Sequence, residues 1–200
     1  MLSEYASESI RNLNQISKGD TMEFSTLLEE RRSIRDYATG ISVTAEEIEA
    51  MIYAAQQAPS WKNSQSGRYY AVISKEMVEK VRVNCLPEFN RDRTIGAAGY
   101  VVTTFKGGIS GFTPDGTPTD SLGNGWGAYD LGLQNANFIL KARELGYDTL
   151  IMGLRDELKL REMLSIPKDE IMVSVIALGK RASETTKPQR KNISEIFKTF

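Results

Sequence analysis

The sequence predicts a mixed fold, α+β or α/β, in which helices pack on a single sheet. Segments with helical periodicity alternate along the chain with short strand-like runs, and neither a repeat nor a linker separates them. The run at 171–179 (IMVSVIALG) is apolar without interruption, which is typical of a strand covered by helices on both faces of its sheet. With 200 residues, of which 40% are hydrophobic, the chain can build one domain with a substantial core.

The first half of the chain is predicted to hold two helices, a strand, a third helix and a second strand. From residue 23, apolar side chains recur at helical spacing as far as the segment RRSIRDY. Thr44 is followed three places later by Glu47, a capping box that starts the second helix, and Pro59 ends that helix. The strand, helix and strand that follow are predicted at 68–74, 75–84 and 97–105.

The second half opens with a long loop, residues 106–125, which is rich in Gly, Pro, Thr and Asp. Loops of this length inside a compact domain are often functional, and we expect this one to govern access to a binding pocket. A long helix over 126–145 should end at Gly146, which suits a helix C-terminal cap. A strand, a helix and a strand then follow at 147–152, 155–164 and 171–179.

Two residue counts exclude several kinds of active site. The chain has no histidine, so it has no Ser-His-Asp triad, no Cys-His pair and no histidine metal site. Its one cysteine, Cys85, cannot form an internal disulfide or a cysteine cluster, and we expect it to be a small core residue. We therefore predict no metal, and we expect an enzyme of this composition to take its chemistry from an organic cofactor.

Charge and hydropathy bear on partners and location. The 25 basic and 26 acidic residues give a formal net charge of −1, which provides no electrostatic reason to expect nucleic acid or anionic lipid. No run of 18 apolar residues is present, and residues 1–13 lack the apolar centre of a signal peptide. The sequence thus predicts a cytoplasmic protein with neither a membrane nor a nucleic-acid partner.

Two basic segments are candidates for phosphate binding. Arg31, Arg32 and Arg35 surround Ser33, and guanidinium groups bind phosphate bidentately while a serine hydroxyl adds a donor. The alternative is a solvated helix end, where positive charge is favourable. A second basic run lies at 187–192 (KPQRKN), and the sequence leaves open whether the two segments meet or are separate surface charges.

The loop at 58–65 (APSWKNSQ) carries more hydrogen-bonding side chains than a simple connection needs. Asn63 and Gln65 each present a donor and an acceptor, which match the alternating N–H and C=O edge of a pyrimidine-type ring. The alternative is local, with Trp61 filling a gap and Asn63 capping a helix. Further along, the glycine that ends 146–153 (GYDTLIMG) allows either the close approach of a ligand or a simple turn.

Five segments, in this order, resemble the FMN-dependent nitroreductase family, over about residues 23–197: LLEERRSIRDY, AAQQAPSWKNSQ, ARELGYDTLIMG, LSIPKDEIMVSVIALGKR and KPQRKNISEIF. The resemblance implies an α+β, nitroreductase-like three-layer fold with a central, mostly antiparallel sheet flanked by helices. It also implies a homodimer with two shared FMN sites at its interface. Residues 1–22 are then an N-terminal extension, and residues 23–200 are a single domain that includes a C-terminal arm.

The same resemblance implies a set of cofactor-binding residues from both subunits. One subunit is expected to supply the contacts to the phosphate, the ribityl chain, the pyrimidine side and the flavin N5, through Arg31, Arg32, Ser33, Arg35, Met152, Gly153, Arg190 and Lys191. The other subunit is expected to line the flavin with Pro59, Ser60, Trp61, Asn63 and Gln65. Asn90 lies in EFNRDR, where the family often has a contact to the flavin ring.

The implied reaction follows a ping-pong mechanism. NADH or NADPH delivers hydride to the flavin N5 and leaves, and a flat acceptor such as a nitroaromatic or a quinone is then reduced by two electrons. No side chain is expected to be catalytic, because the flavin carries the electrons and protons can come from water, which fits a chain without histidine.

Three alternatives remain at this point. The same scaffold could run a different flavin reaction, such as the reduction of an activated alkene or the breakdown of the flavin. It could also be a non-catalytic flavin-binding protein, or a structural dimerisation module without flavin. Many members of the family continue the flavin-lining loop as Asn-Ser-Gln-Pro-Trp, whereas here Ser66 and Gly67 follow Gln65, which leaves the shape of that wall open.

Overall fold

The computed structural model describes residues 22–200, and all but the last residue of the predicted N-terminal extension at 1–22 lies outside that range. The helices are α1 (Phe24–Glu30), α2 (Ala45–Gln56), α3 (Lys75–Cys85), α4 (Glu88–Arg93), α5 (Gly125–Glu144), α6 (Glu157–Leu164) and α7 (Ile193–Ile196). The strands are β1 (Gly67–Val72), β2 (Gly99–Lys106), β3 (Asp148–Met152) and β4 (Glu170–Gly179). A single 3₁₀ turn, Trp61–Asn63, lies between α2 and β1.

The four strands form one sheet in the order β1-β2-β4-β3, and every pair of neighbours is antiparallel. The central pair, β2 and β4, is in register from Gly99 opposite Leu178 to Lys106 opposite Glu170, with an irregularity at Thr103. The uninterrupted apolar run of the sequence is the central strand β4. The predicted α+β class with an antiparallel sheet is confirmed.

Helices cover both faces of the sheet, which gives the predicted three layers. Successive side chains of a strand point to opposite faces, so neighbours in β2 enter different cores. Tyr100 packs on the α3 and α6 side with Leu160, whereas Val101 packs on the α2 and α5 side with Phe138. All four side chains are fully buried, so the strands carry apolar residues at consecutive positions instead of alternating ones.

Local capping signals position the two helices that cover one face. The amide of Glu47 donates to Thr44 Oγ1 (3.2 Å) and the amide of Thr44 donates to Glu47 Oε2 (2.8 Å), which completes the predicted capping box of α2. The helix α5 ends where Gly146 adopts a φ of +81°, a conformation that glycine adopts without strain. Its amide donates to the carbonyl of Arg143 (2.9 Å).

The first helix is shorter than the sequence predicted. The helix α1 ends at Glu30, directly before the RRSIRDY segment, which is extended, so the helical spacing that included Ile34 runs past the end of the helix. Ile34 occurs at helical spacing because it is buried, but it is buried from an extended backbone whose amide donates to the carbonyl of Thr149 (3.0 Å). Ser33 forms a parallel bridge to Thr149 at the outer edge of β3.

A buried carboxylate joins the end of α1, the start of β3 and the chain after β4. Asp148 accepts hydrogen bonds from the Nε (2.9 Å) and the second terminal nitrogen (2.6 Å) of Arg181, and it lies 3.5 Å from Arg143. Arg143 in turn pairs with Glu30 at 2.8 Å. Because Glu30 directly precedes Arg31, this network fixes where the basic segment begins.

The structure also bears on the cysteine, on metal ligands and on membrane-spanning helices. Cys85 is buried as predicted, and burial, with a smaller effect of the Asp156 charge, raises the pKa of its thiol. Within residues 22–200, no group of three or more potential ligand side chains is arranged to hold a metal ion. Over the same residues, no helix combines the length and the apolar composition needed to cross a lipid bilayer.

Candidate functional site

An open depression of about 500 Å³ lies beside the C-terminal end of β3. Most of its wall is apolar, and two guanidinium groups and one amide supply the polar functions. The lining residues are Arg35, Phe89, Asn90, Arg93, Leu150, Ile151, Met152, Gly153 and Leu154. A mostly apolar cavity with a few convergent polar groups is the usual form of a small-molecule site.

Gly153 leaves open space on the wall of this depression. Its φ lies outside the left-handed region, so its backbone conformation does not require glycine. A Cβ built on it meets no heavy atom of residues 22–200 within 4 Å, so packing inside the chain does not require glycine either. The missing side chain instead allows a ligand to approach the backbone closely.

The backbone that follows β3 is held by side chains on both sides. A terminal nitrogen of Arg155 donates to the carbonyl of Gly153 (2.5 Å), and the amide nitrogen of Asn90 donates to the carbonyl of Leu154 (3.1 Å). Because Asn90 is buried, its side-chain nitrogen is shielded from water and its hydrogen bond to Leu154 helps to hold this part of the wall of the depression. The wall is therefore fixed before any ligand arrives, which is the condition for a precise binding geometry.

A cluster of arginines lies at the start of the extended segment. The pKa of the half-buried Arg31 is lowered, first by burial and then by the positive charges of Arg190 and Arg32. The Nε of Arg32 is buried and has no hydrogen-bond partner within residues 22–200. Like charges that are brought together and partly desolvated are unfavourable unless an anion offsets them. The cluster therefore suits a phosphate group.

The chain after β4 brings the second basic run to the first. Arg181 is anchored by Asp148, and Lys187 forms an ion pair with Glu29 in the last turn of α1. This path brings Arg190 near enough for its charge to lower the pKa of Arg31, after the larger effect of burial, and Lys191 follows on the exposed tail. The two basic segments therefore meet, a question that the sequence left open.

The extended segment connects the arginine cluster to the depression. Arg31 belongs to the cluster, and Arg35 lines the depression. An extended chain spans at most about 3.3–3.6 Å per residue, so the Cα atoms of the two residues are no more than about 14 Å apart. A single molecule with a flat ring at one end and a phosphate at the other can bridge this separation.

The loop predicted to line the cofactor is not part of this depression in its own chain. Within residues 22–200, the lining of the depression includes none of Pro59, Ser60, Trp61, Asn63 and Gln65. The side-chain nitrogen of Gln65 donates to the side-chain oxygen of Asn63 (3.2 Å), and both side chains are exposed. The side chain of Asn63 therefore bonds to Gln65 and not to a helix end, so the local alternative in which Asn63 caps a helix is wrong. Trp61 does pack locally, with its ring centre 4.9 Å from that of Trp126.

Of the predicted residues, Arg35, Asn90, Met152 and Gly153 share the depression, and Arg31, Arg32 and Arg190 share the cluster. Sequence reasoning missed Arg93, whose guanidinium lines the depression and lies over the ring of Phe89 at 5.6 Å. The signal was its position three residues after Asn90, because residues three apart lie on the same face of a helix. The helix α4 has only six residues, too few to show a period, so this signal could not be used.

Comparison with known proteins gives consistent matches over most of the chain. The sequence model of the nitroreductase family matches residues 28–98 and 114–180. A protein of Archaeoglobus fulgidus with the provisional name NADH dehydrogenase/NAD(P)H nitroreductase is 30% identical over 154 residues, which cover 74% of this chain and 80% of that protein.

Solved structures match over nearly the whole fold. A protein of Exiguobacterium sibiricum, provisionally called a nitroreductase and solved in complex with FMN, has a TM-score of 0.78 at 22% identity, covering 90% of this chain and 98% of that one. An enone reductase of a gut-bacterial fatty acid saturation metabolism has a TM-score of 0.73 at 22% identity, covering 92% and 99%. At these identities the structures support the fold alone.

The fold and the family match together define the class of protein, an α+β oxidoreductase with an antiparallel sheet between two layers of helices. More specifically, the chain belongs to the nitroreductase family.

Proposed function

We propose that the protein is an FMN-dependent oxidoreductase that uses NADH or NADPH to reduce flat electron acceptors, such as nitroaromatics or quinones, in a ping-pong mechanism. The observation that carries the proposal is the pairing of an arginine cluster around Arg31 with a depression walled by Gly153. FMN has a phosphate at one end and a flat ring at the other, so it matches both parts. The A. fulgidus relative named for NAD(P)H nitroreductase activity supports the electron donor.

Each part of the site has a task in this proposal. Arg31, Arg32 and Arg190, with Ser33 and Lys191 beside them, would hold the phosphate through charge-assisted hydrogen bonds. The backbone at Met152 and Gly153 would form the wall against the ring. FMN, when bound, supplies the ability to take up and give back a hydride.

The two guanidinium groups of the depression would tune the electrostatics of the ring. Arg35 and Arg93 both line the cavity, and neither forms an ion pair with a carboxylate within residues 22–200. Fixed positive charge in a partly desolvated site stabilises negative charge that develops on a bound group. These residues would therefore favour the reduced state of the cofactor. No proton-transferring side chain is needed, since water can supply protons.

Anaerobic addition of NADH or NADPH tests the proposal directly. The purified protein should be yellow, should release FMN and not FAD on denaturation, and should lose its absorbance near the flavin maximum when the nicotinamide is added. The colour should return when a nitroaromatic or quinone is supplied. Colourless protein after incubation with FMN would reject flavin binding, whereas yellow protein that NADH and NADPH both leave unbleached would identify a non-catalytic flavin carrier.

Replacing Gly153 by valine should weaken flavin binding without weakening the fold. A Cβ at this position meets nothing within 4 Å among residues 22–200, so there is room beside the backbone, and the valine methyl groups would extend into the space in front of the wall. We expect FMN affinity to fall by at least tenfold, or about 1.4 kcal/mol. Gly153→Ala should give a smaller loss, and both flavin-free variants should melt at the temperature of the unchanged protein. If FMN affinity does not depend on the size of the side chain at position 153, the flavin ring binds elsewhere.

We further propose that the protein is a homodimer whose two flavin sites each use both chains. The flavin-lining loop has exposed polar side chains and does not reach the depression of its own chain, so it is available to that of a partner. The C-terminal arm also needs a partner, since it carries large apolar side chains that are 60% exposed or more: Ile193, Ile196, Phe197 and Phe200. Covering such groups with a second copy is the simplest use for them.

Mixed dimers separate a shared site from a single-chain site. A subunit with Asn63→Ala is combined with one carrying Arg31→Ala, after each homodimer has been shown to bind FMN poorly. If each site draws on both chains, one site collects both defects and the other collects none, so close to half of the normal occupancy survives. If the Asn63 and Arg31 of one chain serve the same site, each site carries one defect and occupancy equals the average of the two homodimers, which rejects sharing.

A second reaction on the same site is the reduction of an activated alkene. The observation that favours it is an exposed apolar rim around the depression, formed by Phe89, Ile151 and Leu154, which are 45%, 46% and 64% exposed. A rim of this kind suits an acceptor with an aliphatic chain, and the enone reductase has the same fold. Comparing kcat/KM for nitroaromatics, quinones and enones of increasing chain length decides which class is preferred.

A further inference from the structure

The loop at 58–66, here called the Trp61 loop, contains unusual backbone strain. Lys62, Asn63 and Gln65 have φ values of +45°, +55° and +47°. Asparagine tolerates this left-handed region, but lysine and glutamine gain nothing from it. Strain of this kind persists only where the surroundings impose it, and it occurs mainly at functional sites. The question is what holds the loop.

A buried carboxylate on α5 holds the Trp61 loop. Asp130 is 3% exposed, and its Oδ2 accepts from the amide of Trp61 (3.0 Å) and from the hydroxyl of Ser110 (2.8 Å). Among residues 22–200, no lysine or arginine forms an ion pair with this carboxylate. A polar side chain that is buried without a cation needs hydrogen-bond partners, and these two donors supply them.

The direction of the whole network follows from that carboxylate. The Ser110 hydroxyl donates its one proton to Asp130 Oδ2, so it has no proton left for another acceptor. Ser110 Oγ lies 2.8 Å from Ser64 Oγ and 3.2 Å from Ser66 Oγ, so both of these hydroxyls donate to Ser110. The Trp61 loop is thus tied to Asp130 directly at one end and through Ser110 at the other.

This arrangement presents two amide side chains to the outside. The Ser60 hydroxyl oxygen accepts from the amide of Gln65 (3.1 Å), and the side chain of Gln65 donates to that of Asn63 (3.2 Å). Two side-chain groups remain, the nitrogen of Asn63 and the oxygen of Gln65. Both lie on exposed residues, and neither has a partner within residues 22–200. They offer one donor and one acceptor side by side.

We propose that Asp130 is a positioning residue for the flavin site: through Trp61 and Ser110 it holds Asn63 and Gln65 in the strained conformation that binds the flavin edge. The proposal rests on the proposed function. Ser110 belongs to the segment 99–113 that the family match leaves out, so the network includes a residue outside the matched sequence. It follows that the long loop at 106–125 acts on the flavin site through Ser110.

Four variants test the network. Asp130→Ala removes the acceptor, and Ser110→Ala removes the link to Ser64 and Ser66. Asp130→Asn keeps an acceptor oxygen in the same place, since Oδ1 takes no part in the two hydrogen bonds. The control is Asn137→Ala, two turns further along α5, where the lost hydrogen bond goes to the carbonyl of Ala54 in α2 (3.2 Å) and not to the loop.

Two readouts are measured on each variant, hydrogen exchange of residues 60–66 in the flavin-free protein and the dissociation constant of FMN from flavin fluorescence. Asp130→Ala should raise exchange in the loop and weaken FMN binding by about tenfold, which corresponds to about 1.4 kcal/mol. Ser110→Ala should show both effects to a smaller extent. Asp130→Asn should stay within about twofold of the unchanged protein. Asn137→Ala should lower the melting temperature and leave both readouts unchanged.

The proposal is overturned if Asp130→Ala keeps normal FMN affinity, or if Asn137→Ala weakens it equally. Should Asp130→Ala fail to fold, Ser110→Ala decides, because normal exchange and normal affinity in that variant also reject the network. Failure of the unchanged protein to bind FMN would refute the proposed function instead. The exchange measurement then still shows whether Asp130 holds the loop.

Discussion

Replacing Arg31 or Arg190 by alanine is expected to weaken FMN binding by roughly 10- to 150-fold. Each change removes a charge-assisted hydrogen bond to phosphate, which contributes about 1.5–3 kcal/mol. The flavin-free proteins should be no less stable than the unchanged chain. Burial first, and then the charge of Arg190, lowers the pKa of Arg31, and removing either charge relieves the repulsion between them. Loss of affinity without loss of stability is the signature of a ligand-binding arginine.

Fluorescence titration of flavin-free protein with FMN measures the effect, and Arg91→Ala is the matched control. Arg91 lies on α4 between Asn90 and Asp92, with its nearest carboxylate, that of Asp92, at 3.7 Å, and it is not among the lining residues of the depression. Its replacement should leave the dissociation constant within about twofold. If Arg31→Ala and Arg190→Ala behave like Arg91→Ala, the cluster is only a solvated surface and the phosphate binds elsewhere.

Replacing Asp148 by alanine should give the largest loss of stability, about 3–5 kcal/mol. The carboxylate is almost fully buried, and its removal leaves the mostly buried Arg181 without its main partner and the mostly buried Arg143 with Glu30 alone. Breaking one side of a buried ion pair costs more than the pair contributes, because the remaining charge stays desolvated. Urea unfolding of the flavin-free protein measures the free energy of unfolding.

The control for this change is Glu184→Ala. Glu184 also pairs with Arg181, at 3.4 Å, but its side chain is 92% exposed, and exposed ion pairs contribute little. A similar loss of stability in both variants would mean that burial of Asp148 is not the cause. A small loss for Asp148→Ala alone would mean that water enters the network and solvates the two arginines.

The sheet and most helices were predictable because their signals are local. The capping box at Thr44 and the apolar run of β4 each specify an element within a few residues. The end of α1 was not predictable, because Ile34 is apolar for a reason that lies far away in sequence, its burial beside Thr149. A periodicity argument cannot distinguish a residue buried from a helix from one buried from an extended segment.

The candidate site divides in the same way. The types of residue in it could be predicted from local composition, as for Arg31 and the loop around Asn63. The meeting of Arg31 with Arg190 depends on a chain path of more than 150 residues, anchored by Asp148, and no local pattern encodes it. The left-handed φ of Lys62 was also not predictable from the sequence, because a lysine does not favour that conformation.

The extended segment beside β3 has a second consequence, for self-association. β3 is an edge strand, and an open strand edge is a template for pairing with another chain. Ser33 bridges to Thr149 on that edge, and the amide of Ile34 uses the Thr149 carbonyl, so the segment blocks part of the edge. Truncation past residue 35 would therefore remove the arginines and would also expose the edge of β3. We expect such a truncated chain to aggregate as well as to lose binding.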